Sequence, residues 1–327
     1  MQNIRTILHP TDFSRTARIA LRVAVRMAYA MKARLVVAHV IRSRAEGEQM
    51  APRMPAAADA DRMMRLAVQN AMEYMPAHVE RAVDVSYATT DSVSAAEGIL
   101  RIAQNERADA IVMGTHGRRG VRRFILGSVA AEVLHEAQCD VMLVPLIANA
   151  SLSGRILVPV DLYGRSQEVL QSAVQLGSKL RKGTDLLYVI DSSILVDFTL
   201  RPIEGEAVAA LHDVARARLL ELMEEAASDV DIRIHVKEGS PAREIVEVAD
   251  SKGYALILMA SSGMTPDERG LLDPGAGAGM ADQEWMVGGV TEWVSTNSAV
   301  PVWVRKRFYG GTPRSMTKPD QLELTAS

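Results

Sequence analysis

Apolar and polar positions along the chain alternate between two textures. Short apolar runs such as Leu35-Val36-Val37-Ala38-His39-Val40-Ile41 and Ala110-Ile111-Val112-Met113 are separated by longer stretches with apolar residues every three or four positions, such as Ala17, Leu21, Ala24 and Ala28. The first texture predicts strands covered on both faces, the second amphipathic helices. Their alternation implies α/β architecture, with parallel sheets and helices on both sides. In such folds ligands sit beyond the carboxyl ends of the strands.

The pattern is written twice. Thr6-Ile7-Leu8-His9-Pro10-Thr11-Asp12-Phe13 returns as Arg155-Ile156-Leu157-Val158-Pro159-Val160-Asp161-Leu162, both apolar runs ending in Pro-x-Asp. Ile7 precedes Ile156 by 149 residues, and Val40 precedes Val189 by the same 149. Ala110–Met113 corresponds to Leu256–Met259, and the run at Val141–Val144 to the one at Val300–Val304. Internal repetition at this period predicts two similar domains. The expected division is 1–148 and 152–306, separated by a short polar stretch, with 307–327 an aperiodic tail expected to be disordered.

Composition narrows the picture. The chain has 327 residues, net charge -3 and one cysteine, Cys139. It is long enough for two cores, and its charge favours neither nucleic acid nor anionic membrane. One cysteine permits no internal disulfide and suits a reducing compartment. No apolar stretch reaches the roughly 20 residues of a spanning helix. With no signal peptide legible in MQNIRTILHPTDFS, a cytoplasmic location is expected, with no membrane span and no nucleic-acid partner.

The candidate chemistry lies after the strand at Ala110–Met113, where Gly114, Gly117, Gly127 and Ser128 form G-x2-G-x9-G-S. Glycines permit close backbone approach to a phosphate. Gly127 and Ser128 open an apolar-periodic helix, whose free N–H groups attract anions, and Ser128 is placed to cap it or to bond a phosphate oxygen. Asp12 stands at another strand end.

With these residues in place the chain resembles the ATP-binding branch of the universal stress protein family, over 1–306 and twice. The resemblance implies two five-stranded parallel sheets paired through their last strands as an internal pseudo-dimer. It implies that Pro10, Thr11 and Asp12 line a nucleoside pocket, that Val40 meets the adenine edge, and that Met113, Gly114, Gly117, Gly127, Ser128 and Val129 hold ribose and phosphates. The expected ligand is ATP or ADP, with Mg²⁺ as a companion ion. His116, inside the phosphate loop, is a further candidate contact. The second copy departs from the pattern: Ala260 replaces the first glycine, Gly289 replaces Ser128, and the long loop 264–287 replaces nine residues. Its acidic residues would repel a triphosphate, so nucleotide is expected in the first domain only; the second copy reads as a degenerate domain kept for pairing, or alternatively its loop serves as a lid or partner-binding surface.

Arg118, Arg119, Arg122 and Arg123 read as solvated residues, with one or two near the phosphates. No histidine pair has metal-ligand spacing on one helix, and His9 and His39 read as core or pocket-wall residues on adjacent strands. No Ser-His-Asp or paired-carboxylate arrangement is placed together, so no catalytic residue is assigned. The leading expectation is a nucleotide-loaded sensor acting through protein partners, with the tandem chain also open to homodimerisation. A slow ATPase or autophosphorylating protein is the first alternative, and a nucleotide-independent scaffold or receptor for another small ligand the second.

Overall fold

The computed structural model describes residues 4–42, 57–80, 82–116, 126–162, 166–191, 206–226, 229–261 and 287–306. Gly117, Arg118, Arg119, Arg122, Arg123, the loop up to residue 286 and the tail 307–327 lie outside the described residues. The first half runs β1 (Thr6–Pro10), α1 (Arg15–Met31), β2 (Arg34–Arg42), α2 (Ala57–Met72), α3 (Ala77–Glu80), β3 (Val85–Ser92), α4 (Ala95–Asn105), β4 (Ala110–Gly114), α5 (Ser128–Glu136) and β5 (Asp140–Val144). The second runs β6 (Ile156–Pro159), α6 (Ser166–Leu180), β7 (Thr184–Asp191), α7 (Glu206–Glu225), β8 (Ile232–Gly239), α8 (Pro241–Lys252), β9 (Leu256–Ala260), α9 (Gly289–Asn297) and β10 (Val302–Arg305).

The expected pairing through last strands is present. The strand order is β3-β2-β1-β4-β5-β10-β9-β6-β7-β8, so the two five-stranded parallel sheets join into one of ten strands. Every strand pair is parallel except β5 with β10, where Met142 lies opposite Trp303. Alternate strand residues feed opposite faces. Ile7, Leu35 and Val37 pack with α1 and α2, while Leu8 and Val36 pack with α4 and α5. The first of these cores crosses the junction without a break, taking in Met142, Val144 and Trp303 on its way to α6 and α7.

Local chemistry explains the helix boundaries. The Ser14 hydroxyl caps α1 by accepting from Ala17 N at 3.1 Å. Lys32 closes α1 in the left-handed region at φ 55, and Arg181 does the same after α6 at φ 54, again 149 residues on. Pro241 opens α8 and Gly253 closes it.

The junction is also polar. Buried Asp140 accepts from Trp303 Nε1 at 3.1 Å and from Lys306 N at 2.9 Å, and its carboxylate pairs with Arg305 at 3.2 Å. Lys306 Nζ donates to the His135 carbonyl at 3.2 Å. Burial lowers the Lys306 ammonium to about 8 against the opposing pull of Cys139 and Asp140. At the opposite end of the second sheet, Asp185 accepts from the Tyr254 hydroxyl at 2.7 Å and pairs with Arg155 and His235. Burial would raise its carboxyl, but the hydrogen bonds from Tyr254, Arg155 and His235 outweigh that and hold it below the usual range.

Candidate functional site

Strand β1 lies between β2 and β4. The chain runs from β1 outward to β3 and returns to β4 on the other side, so the β1/β4 crevice is the switch point at which α/β sheets take ligands. Two predicted groups meet there: Pro10, Thr11 and Asp12 at the end of β1, and Met113, Gly114 and His116 at the end of β4. Gly127, Ser128 and Val129 join them through a bond from Gly127 N to the Thr115 carbonyl at 2.8 Å. Gly117 lies outside the described residues.

The turn after β1 is held from several sides. Thr11 Oγ1 accepts from Phe13 N at 3.0 Å, and Asp12 Oδ1 accepts from Ser14 N at 2.9 Å. Phe13 takes φ 64, a conformation costing a non-glycine residue roughly 1–2 kcal/mol. Its ring sits 4.8 Å from that of His39, whose Nδ1 donates to the Thr11 carbonyl at 2.7 Å. The second domain repeats the strain at Leu162, φ 65, also 149 residues on. His9 Nδ1 donates to the Val112 carbonyl at 2.8 Å, tying β1 to β4 beneath the crevice. Burial holds the His9 imidazole at about 4, so it is neutral at physiological pH. His9 and His39 are therefore buried on adjacent strands, within the expectation that they are core or pocket-wall residues.

Several residues differ in role from the sequence reading. Ser128 does not cap α5. Gly127 is the cap residue, and Ser128 is the exposed first helical position, because a glycine with extended backbone already completes the turn. A Cβ on Gly114 would lie 2.6 Å from Thr16 Cγ2, so that glycine lets α1 lie close against β4. A Cβ on Gly127 would lie 3.0 Å from the Thr115 carbonyl oxygen. The Val40 side chain is buried beside Gly98 of α4. Thr115, which sequence reasoning passed over, is buried, with its hydroxyl 2.9 Å from His116 Nδ1. The only sequence signal for it was its place between the first two glycines.

The second domain keeps the scaffold. Val160 N bonds the Leu187 carbonyl at 3.0 Å as Thr11 N bonds Ala38 at 2.8 Å, and Gly288 N bonds the Ser261 carbonyl at 2.7 Å. Its surroundings differ: Thr291 Oγ1 donates to the Ala260 carbonyl at 3.0 Å, where the first domain has Ala130.

Ten strands in this order, carrying two matched crevices, define a duplicated doubly wound α/β protein. The chain belongs to the universal stress protein family, whose model matches residues 3–145 and again 153–306. A universal stress protein of Methanocaldococcus jannaschii is 30% identical over 161 residues, covering 48% of this chain and 84% of that protein. A second one from the same organism is 29% identical over 156 residues, covering 43% and 94%. Among solved structures, a universal stress protein from Pseudomonas aeruginosa matches with TM-score 0.60 and 16% identity over 93% of this chain and 94% of that one, which supports the fold. No helix among the described residues is long and apolar enough to cross a membrane.

Proposed function

We propose that the first domain binds ATP or ADP in the β1/β4 crevice and that occupancy alters contacts with partner proteins under stress. One observation carries this reading. Among the described residues no side chain caps α5, and Gly127 at its start is tied to the Thr115 carbonyl beyond β4, at the strand ends where the Asp12 turn also lies. Such a helix end receives phosphate, and Gly127 keeps it free of side-chain bulk. In this arrangement the α5 N-terminus and Ser128 hold phosphates, Asp12 meets the ribose or base, and Val40 offers its backbone to adenine. Mg²⁺ would accompany the phosphates. The nucleotide acts as an occupant whose presence partners read.

The test is calorimetric titration of the full chain with Mg·ATP and Mg·ADP. One nucleotide per chain is expected. Ser128→Glu places a carboxylate where phosphate would sit, while an acid in the first turn favours the helix. That variant should stay folded and lose at least ten-fold in affinity. Wild-type protein that binds neither nucleotide at millimolar concentration overturns the reading, as does a Ser128→Glu variant that binds unchanged.

A further inference from the structure

Helix α1 offers solvent a stripe of arginine. Ten of its 17 residues are buried. Arg15 and Arg18 are exposed, and Arg22 and Arg26 partly so. Their spacing of three, four and four residues lines them along one side of the helix over about 16 Å. Thr16, on the inner side, faces Gly114 of β4. The helix contains no Asp or Glu. Among the described residues no carboxylate pairs with any of the four, whereas Arg34, Arg65 and Arg218 sit against Glu106, Asp61 and Glu221. Arg22 lies over the Tyr74 ring at 3.7 Å, and the Nε of Arg26 is buried without an acceptor. A half-open groove of about 340 Å³ lies along the stripe, lined among the described residues by Arg15, Arg18, Ile19 and Arg22.

Like charges three and four residues apart destabilise a helix. The molecule contains its own control for whether the fold needs them. Gln167, Gln171 and Gln175 stand 149 residues after Arg18, Arg22 and Arg26, all exposed on α6 of the same architecture. Neutral side chains serve there, so the charges of α1 answer a requirement other than folding.

We propose that the arginine stripe of α1 is a second anion site, taking a compact polyphosphorylated molecule, and that it is separate from the nucleotide crevice. Guanidinium forks match phosphate oxygens two at a time. An open groove lined by three of them suits a short, dense anion. A single nucleic-acid strand would want aromatic faces for its bases, and the aromatic ring at the stripe, Tyr74, is already covered by Arg22. The net charge of -3 also works against long polyanions.

The experiment titrates sodium tripolyphosphate into the full chain carrying Ser128→Glu, which closes the crevice to phosphate, at low ionic strength. The same titration is then run with Arg15→Gln, Arg18→Gln and Arg22→Gln added. Glutamine is what α6 carries at the counterparts of Arg18 and Arg22, so the fold should persist, and a thermal melt checks that it does. Tripolyphosphate should bind the Ser128→Glu protein and weaken at least ten-fold with the three glutamines. The three glutamines alone should leave Mg·ATP affinity in the crevice unchanged, so failure of the nucleotide reading and failure of this one are separable. The proposal is overturned if tripolyphosphate does not bind the Ser128→Glu protein, or binds equally after the substitutions. Tighter, competing binding by a poly-glutamate peptide or a thymidine oligonucleotide would also overturn it and assign the stripe to an acidic protein or to nucleic acid.

Discussion

Replacing Asp140 by asparagine removes one charge from the polar knot between the two halves while nearly preserving its shape. The carboxylate receives the Trp303 indole N–H at 3.1 Å and the Lys306 N–H at 2.9 Å, and pairs with Arg305 at 3.2 Å. Both Asp140 and Arg305 are buried. Breaking a buried ion pair by removing one partner costs about 3–5 kcal/mol. Asparagine keeps one acceptor, but its amide N–H groups would face donors, so a loss of about 3 kcal/mol is expected. At about 2–4 °C per kcal/mol for domains of this size, Tm should fall by about 6–12 °C. Urea denaturation followed by tryptophan fluorescence and by calorimetry gives both values. Asp231→Asn is the matched control. Asp231 pairs with Arg155 and Arg233, but its side chain is 60% exposed, and exposed pairs contribute about 1 kcal/mol or less. The argument fails if Asp140→Asn costs under 1 kcal/mol, or no more than the control.

Other outcomes follow from the same geometry. Gly114→Ala should destabilise by about 1–3 kcal/mol because its Cβ meets Thr16 Cγ2 at 2.6 Å. Adding Thr16→Ser, which removes that methyl, should recover part of the loss in a denaturation series. Lys306 is depressed to about 8 in the folded chain. Between pH 8 and its ordinary value near 10.5 the unfolded chain holds the extra proton, so this group makes stability rise with pH across that window, by up to about 3 kcal/mol. Lys306→Met should remove most of this rise, measured at pH 7.5, 9 and 10.5, leaving the smaller share of Lys182, which burial also depresses.

The interior of each half was legible in the sequence, and its rims much less so. Strands β1, β2, β4 and β5 and their counterparts are doubly covered, so they read as continuous apolar runs. Edge strands β3 and β8 carry mixed residues such as Tyr87-Ala88-Thr89-Thr90 and His235-Val236-Lys237-Glu238, because one face and one edge meet solvent. The 149-residue offset reappeared in backbone strain at Phe13 and Leu162, which no propensity would have predicted. The motif marks Gly114 for close approach to a phosphate and Ser128 for capping α5 or bonding a phosphate. Gly114 answers first to the closeness of α1, and Ser128 yields the cap to Gly127. The arginine stripe lies on the side of α1 that its apolar periodicity leaves unspecified.

The antiparallel contact between β5 and β10 has a consequence for how such a chain can change over time. Two identical subunits meeting about a two-fold axis must place the same residue on both sides, so any substitution acts twice. Met142 faces Trp303 across the junction at matching positions of the two sheets. Two tryptophans there would compete for one space, and two methionines would fill less of it. Joining both copies in one polypeptide lifts that obligation. Each side of the junction can accept a change that its mirror image could not, and the two crevices are free to take up different duties.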